Sequence, residues 1–94
     1  KNYSLALADA NKAIELDANN EEYYKNRSVT LHEMNRYKEA LVDINKAIEF
    51  DPSNAEYYDS RAKTLLKMKR YVSASQDAKK VIELDMSDQE YSAD

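Results

Sequence analysis

The chain has 94 residues, with 18 acidic and 14 basic side chains, a net charge of -4, and neither cysteine nor glycine. These figures exclude a disulfide framework, a thiolate metal site and a Gly-rich phosphate loop, and an acidic chain lacks the surplus of Lys and Arg that phosphate contacts need. No apolar run approaches a membrane span or a signal-peptide core, so one folded soluble domain in the cytoplasm is the expectation.

Residues 3–16 carry Tyr3, Ala6, Leu7, Ala10, Ala13 and Ile14 at steps of three and four, the period of an amphipathic helix. Asn20 stands where a helix N-cap belongs, and Glu21 and Glu22 suit the positive end of the helix it starts. That helix places Tyr24, Ser28, Leu31 and Met34 on one stripe, and Asn35 can adopt the left-handed turn that closes it. The next segment repeats the first, with Tyr37, Ala40, Leu41, Ile44, Ala47 and Ile48, until "FDPSN" stops it: Pro52 cannot continue a helix and biases Asp51 away from helical angles. Asn54 caps a further helix bearing Tyr58, Ala62, Leu65 and Met68, after which Lys69 must take the turn that suits Asn35 better. The last stripe runs from Tyr71 through Ala74 and Ala78 to Val81. Ser75 stands in it where Leu7 and Leu41 stand earlier, so this helix is expected to bury less apolar surface and to be the least stable. Met86 replaces the proline, Asp88 is read as a third cap, and a new helix is predicted from Gln89.

"ADANKAIELDANNEEYY" (8–24) returns as "VDINKAIEFDPSNAEYY" (42–58) and more loosely as "QDAKKVIELDMSDQEY" (76–91), a period of 34 residues that all eight tyrosines obey. A fixed period of this size signals a solenoid, whose units stack because none can bury its apolar face alone. In the first complete unit Tyr24, Leu31, Ala40, Ile44, Ala47 and Pro52 follow the W-x2-L-G-x2-Y, A-x3-F, A, P pattern, and the chain thereby resembles the tetratricopeptide repeat family. The resemblance implies an all-α, right-handed superhelical solenoid of antiparallel helix pairs, about two and a half repeats long. It divides the chain into a second helix (1–20), complete repeats at 21–54 and 55–88, and the start of a further first helix at 89–94. Ser28 and Ala62 replace the family's close-contact glycine, while Arg27 and Arg61 occupy a position that is usually apolar.

The same resemblance implies a concave face lined by the first helix of each pair, where a peptide or partner segment lies. Its candidate contacts here are Glu22, Lys25, Asn26, Val29, Glu33, Glu56, Asp59, Ser60, Lys63 and Lys67, with His32 and Leu66 beside them; the plain alternative for any one of them is a solvated surface. "YYKNRS" (23–28) resembles repeats that clamp the C-terminal carboxylate of chaperones ending in Glu-Glu-Val-Asp, with Asn26 as the amide that would hold it. Glu56 and Ser60 stand where that clamp has Lys and Arg, so it is incomplete.

A protein-protein scaffold, as in co-chaperones and adaptors, is therefore the leading expectation. A spacer or assembly element that stacks through open repeat ends is the alternative. Catalysis is not expected: His32 is the one imidazole, and Glu33 faces about 100 degrees away from it on the helix. Neither cofactor nor nucleic acid is implied, because Tyr24, Tyr37, Tyr58 and Tyr71 sit at packing positions and most of their ring area should be buried. Tyr23 and Tyr57 are not assigned.

Overall fold

Asparagine side chains start the helices. Asn2 accepts a hydrogen bond from the Leu5 N–H at 3.1 Å, and Asn20 and Asn54 accept from the N–H groups of Glu22 and Glu56, both at 3.0 Å. Each satisfies a donor that the first turn leaves without a partner. The computed structural model describes residues 2–93, with side chains described for residues 2–87. Its elements are α1 (Tyr3–Leu16), α2 (Glu21–Glu33), α3 (Tyr37–Phe50), α4 (Ala55–Lys67) and α5 (Tyr71–Ala93), and there is no strand among the described residues. This is the all-α helical repeat that the period predicts. No helix among the described residues is long and apolar enough to cross a membrane.

The turns within the helix pairs close as the sequence requires. Asn35 and Lys69 adopt φ values of 64° and 61°. In the first turn Arg36 N–H donates to the Leu31 carbonyl and Asn35 N–H to the His32 carbonyl, both at 2.9 Å. Arg70 and Lys69 make the same two bonds to Leu65 and Leu66 at 2.9 and 3.0 Å. These are paired left-handed helix caps, and the conformation is easier for Asn than for Lys.

The expected break near Asp88 is absent: α5 runs without interruption from Tyr71 to Ala93, so no separate helix begins at Gln89. Asp51, followed by Pro52, leaves helical angles at φ -141°. The equivalent stretch has Met86, which keeps its N–H and carries no ring to clash with the preceding turn, so the ladder continues.

Packing is densest within the pairs α2–α3 and α4–α5, and α3 is held between α2 and α4. Ile44, Ala47 and Tyr57 form the centre of the core, with Tyr24, Leu41 and Ile48 packed around them. Ser28 faces Ala40 and donates its hydroxyl to the Ala40 carbonyl at 2.8 Å. Without glycine, a small side chain that satisfies its own polar atom still allows close approach. Tyr24 and Tyr58 reach back to the loops before their helices, donating to the Ala18 and Pro52 carbonyls at 2.8 and 2.7 Å. Tyr57, unassigned from sequence, is the largest fully buried side chain among those described. Tyr71, expected to pack, is 61% exposed instead. Its counterpart Tyr37 meets the His32 ring edge-on and donates to Asn35 Oδ1 at 2.8 Å, whereas Leu66 and Lys69 stand in those two places beside Tyr71. Among the described side chains of α5 only Ala74 and Asp77 are buried, fewer than the four of α3 but more than in α1, which has none, so Ser75 does not make α5 the least buried second helix.

One polar brace joins three successive helices and occurs twice. Arg27 of α2 binds both carboxylate oxygens of Asp43 on α3, at 2.7 and 2.9 Å, and donates to Asn11 Oδ1 on α1 at 3.1 Å. One period later Arg61 binds Asp77 at 2.8 and 2.7 Å and Asn45 at 3.0 Å. Both aspartates are buried. Donating hydrogen bonds to the carboxylates raises the pKa of both guanidiniums, partly opposed by burial. Each guanidinium also lies over a tyrosine ring, Arg27 on Tyr24 and Arg61 on Tyr58.

Two stability measurements follow. Lys69→Gly relieves a left-handed lysine and raises unfolding free energy in urea by about 1 kcal/mol; an unchanged or lower value contradicts strain at that turn. Arg27→Leu strands a buried carboxylate and costs about 3 kcal/mol, most of which Asp43→Leu in the same chain recovers; a double variant as unstable as the single one argues against the brace.

Candidate functional site: the trough between α2 and α4

The first helices of the two pairs, α2 and α4, lie side by side, and between them runs a trough of about 260 Å³ lined by Ser28, Val29, His32, Glu33, Ser60, Lys63 and Thr64. Its floor is polar. His32 Nδ1 lies 2.9 Å from the Thr64 hydroxyl, which in turn donates to the Ser60 carbonyl at 3.3 Å. A hydroxyl has one proton to give, so with that proton on Ser60 the imidazole donates from Nδ1 and keeps Nε2 as an acceptor. Burial, then the positive charge of Lys67, hold the His32 pKa below its ordinary value against an opposing pull from Glu33, and Lys63 adds the least. Val29 adds an apolar wall, 38% exposed.

At the other end of the same face the two helices are tied together. Tyr57 donates to Glu22 Oε2 at 3.1 Å, and Lys25 meets Glu56 Oε1 at 3.2 Å. Burial first, then the Glu22 carboxylate, push the Tyr57 phenol well above its ordinary range, which keeps it a donor at any physiological pH.

The expected contact residues are thus distributed over three places. Val29, Glu33, Ser60 and Lys63 line the trough together. Glu22, Lys25 and Glu56 form the inter-helix ties, and Asp59 pairs with Lys63 one turn along α4 at 3.2 Å, while Lys67 stands exposed near His32. Asn26 lies apart from these, lining a second hollow of about 320 Å³ on the α1 side with Ala6, Asp9, Ala10, Ala13, Tyr23 and Thr30. Thr64 was not among the expected contacts. It follows Thr30 by one period and meets His32 of the preceding first helix.

The trough offers hydroxyls, an imidazole, an ammonium and a short apolar wall, a set suited to holding a peptide backbone and side chains. His32 Nδ1 meets a hydroxyl where a general base would have an orienting carboxylate. Among the described residues no group of three or more His, Cys, Asp or Glu is placed to hold a metal ion.

Residues 29–69 match a family model described as TPR repeat. No curated protein sequence matches the chain. Among solved structures, MamA of AMB-1 is similar at 26% identity and a TM-score of 0.85, over 90% of this chain and 50% of that one, so this chain spans half of MamA's length. The second TPR of Spaghetti (RPAP3), bound to the HSP90 peptide SRMEEVD, is similar at 26% identity and a TM-score of 0.82, over 87% of this chain and 76% of that one. The TPR domain of Arabidopsis OM64 is similar at 28% identity and a TM-score of 0.83, over 87% and 68%.

Because folding lowers the His32 pKa, the unfolded chain binds that proton more readily. The stability is complete above about pH 6.5 and declines as pH falls through that window toward the folded value. The thermal midpoint should drop between about pH 7.5 and 6, and drop less in His32→Gln, which can still hydrogen-bond to Thr64 but does not titrate. Equal pH slopes in the two proteins by scanning calorimetry reject this assignment.

Proposed function

We propose, for a chain that belongs to the tetratricopeptide repeat family, a non-catalytic role as a cytoplasmic adaptor whose α2–α4 face holds a peptide or an extended partner segment. The observation that carries it is the trough itself: it is open, lies between first helices, and is lined by Val29, Ser60, Lys63 and the His32–Thr64 pair. The likeness to a repeat structure solved with a peptide bound supports the same reading.

A co-chaperone role is the finer form of this proposal, with an acidic chaperone tail as ligand. Lys63 and Lys67 supply positive charge for it, whereas Asn26, the expected amide, lies in the separate hollow on the α1 side. Glu56 works against it, although its charge is partly answered by Lys25.

The test is fluorescence anisotropy with labelled SRMEEVD and with a panel of unrelated extended peptides. Val29→Asp combined with Lys63→Ala alters two exposed trough residues, and a bound peptide should lose at least about tenfold in affinity. Unchanged affinity removes the trough from the function. Binding by the unrelated peptides but not by SRMEEVD removes the chaperone-tail form while keeping the adaptor.

A further inference from the structure

The chain has four arginines, and a group able to pair with a guanidinium or to be modified stands three residues after each: Thr30, Glu39, Thr64 and Ser73. Their surroundings separate them. Arg27 and Arg61 are committed to the braces, and Thr30 and Thr64 sit inside α2 and α4, half-buried and buried, with their hydroxyls on the Asn26 and Ser60 carbonyls. Arg36 grips the Glu39 carboxylate with two hydrogen bonds, at 2.8 and 2.7 Å, across the first turn of α3. Arg70 and Ser73 are that pair one period later, with a neutral hydroxyl in place of the carboxylate.

The backbones of the two turns match. Arg36 and Arg70 each donate an N–H to a leucine carbonyl at 2.9 Å, Leu31 and Leu65, and each accepts from an alanine N–H at 3.0 Å, Ala40 and Ala74. Arg70 therefore stands to Ser73 as Arg36 stands to Glu39, but the serine offers no charge. Among the described residues Arg70 has no ion-pair partner, and the first turn of α5 holds no acidic side chain. The stretch "KMKRYVS" (67–73) thus brings Lys67, Lys69 and Arg70 ahead of an exposed serine. Drawing it out as extended chain uncovers little, since Tyr71 and Val72 are already 61% and 75% exposed.

We infer that Ser73 is a phosphorylation site for a protein kinase that reads basic residues ahead of its serine, and that Arg70 receives the phosphate. Lys69 and Arg70, four and three residues before the hydroxyl, are the charge pattern by which such a kinase discriminates. In the transfer, Ser73 Oγ attacks the γ-phosphorus of a nucleoside triphosphate. The new O–P bond forms as the bond to the diphosphate breaks, the hydroxyl proton passes to a base of the kinase, and the nucleoside diphosphate leaves. The product carries a phosphate where Glu39 carries its carboxylate, within reach of charge-assisted hydrogen bonds from Arg70. Glu39 also shows that a negative charge here spares the brace: it precedes Asp43 by four residues, and Arg27 still holds Asp43 through both oxygens. Ser73 precedes Asp77 by the same interval and lines, with Asn45, Arg61 and Asp77, a hollow of about 230 Å³. Phosphorylation thus fastens the start of α5, which buries less than α3. It is independent of the trough between α2 and α4, which other residues line.

The experiment incubates the whole chain with magnesium ATP and the catalytic subunit of cyclic-AMP-dependent kinase, and maps the phosphate by mass spectrometry. Incorporation is expected at Ser73 before Thr30, Thr64 or Ser75, and Arg70→Gln should slow it by about tenfold or more. In scanning calorimetry the phosphorylated chain should melt about 3 °C above the unmodified one. Ser73→Glu should reproduce part of that rise, and Ser73→Glu with Arg70→Gln should melt no higher than Arg70→Gln alone. Earlier incorporation at Thr30 or Thr64, none at Ser73, or a rate indifferent to Arg70→Gln would overturn the site. A phosphorylated chain that melts no higher, or a Ser73→Glu gain that survives Arg70→Gln, would overturn the role of Arg70. A lower midpoint would mean that the phosphate draws Arg61 off Asp77, and would overturn it likewise.

Discussion

The bidentate contact between Arg27 and Asp43, repeated by Arg61 and Asp77, is the constraint on which the stack depends. A solenoid built from short amphipathic helices has a sliding problem: apolar stripes of Ala, Leu and Ile tolerate more than one register. A guanidinium held between a buried carboxylate on the following second helix and an amide on the preceding one tolerates one. Its energetic value as a charge pair is modest, since desolvation offsets much of the attraction. Its value as a register lock is greater, because any slip leaves a buried Asp43 or Asp77 without its partner. The tyrosine ring under each guanidinium supplies packing that an apolar residue would otherwise give.

The brace also decides which surfaces are left for partners. Arg27 and Arg61 point from the first helices into the stack and are spent there. What remains on the α2–α4 face is the milder set of Val29, Ser60, Lys63, His32 and Thr64, with most of its charges already answered by neighbours. Such a face recognises shape and backbone hydrogen-bonding capacity more than charge.

The two complete pairs are not equivalent, and the difference is local chemistry. His32 and Asn35 give Tyr37 a ring edge and an amide to rest on, and give α4 a hydrogen-bond partner through Thr64. One period later Leu66 and Lys69 offer neither, Tyr71 turns out to solvent, and α5 is held chiefly by Ala74, Asp77 and the Arg61 brace. Order therefore concentrates between α2 and α4, on the elements that line the trough.

Helix identity, period and caps were legible in the residues because they depend on neighbours within one or two turns: Asn20 and Asn54 before the helices, Asn35 and Lys69 after them, Pro52 between pairs. The continuity of α5 through Asp88 was misread because a capping residue permits a helix start but does not compel one, and without a proline nothing stops the helix already running. The brace went unread, although Asn11, Arg27 and Asp43 recur together as Asn45, Arg61 and Asp77, since sixteen residues along the chain say nothing of distance until three helices are stacked. The burial of Tyr57, the exposure of Tyr71 and the meeting of His32 with Thr64 belong to the same class. The chain alone thus determined that it forms stacked helix pairs with a set period, by local hydrogen bonding and hydrophobic spacing. Which polar groups meet, which tyrosines are covered and which faces stay open was decided by the tertiary structure, because those outcomes depend on contacts between helices that no local rule specifies.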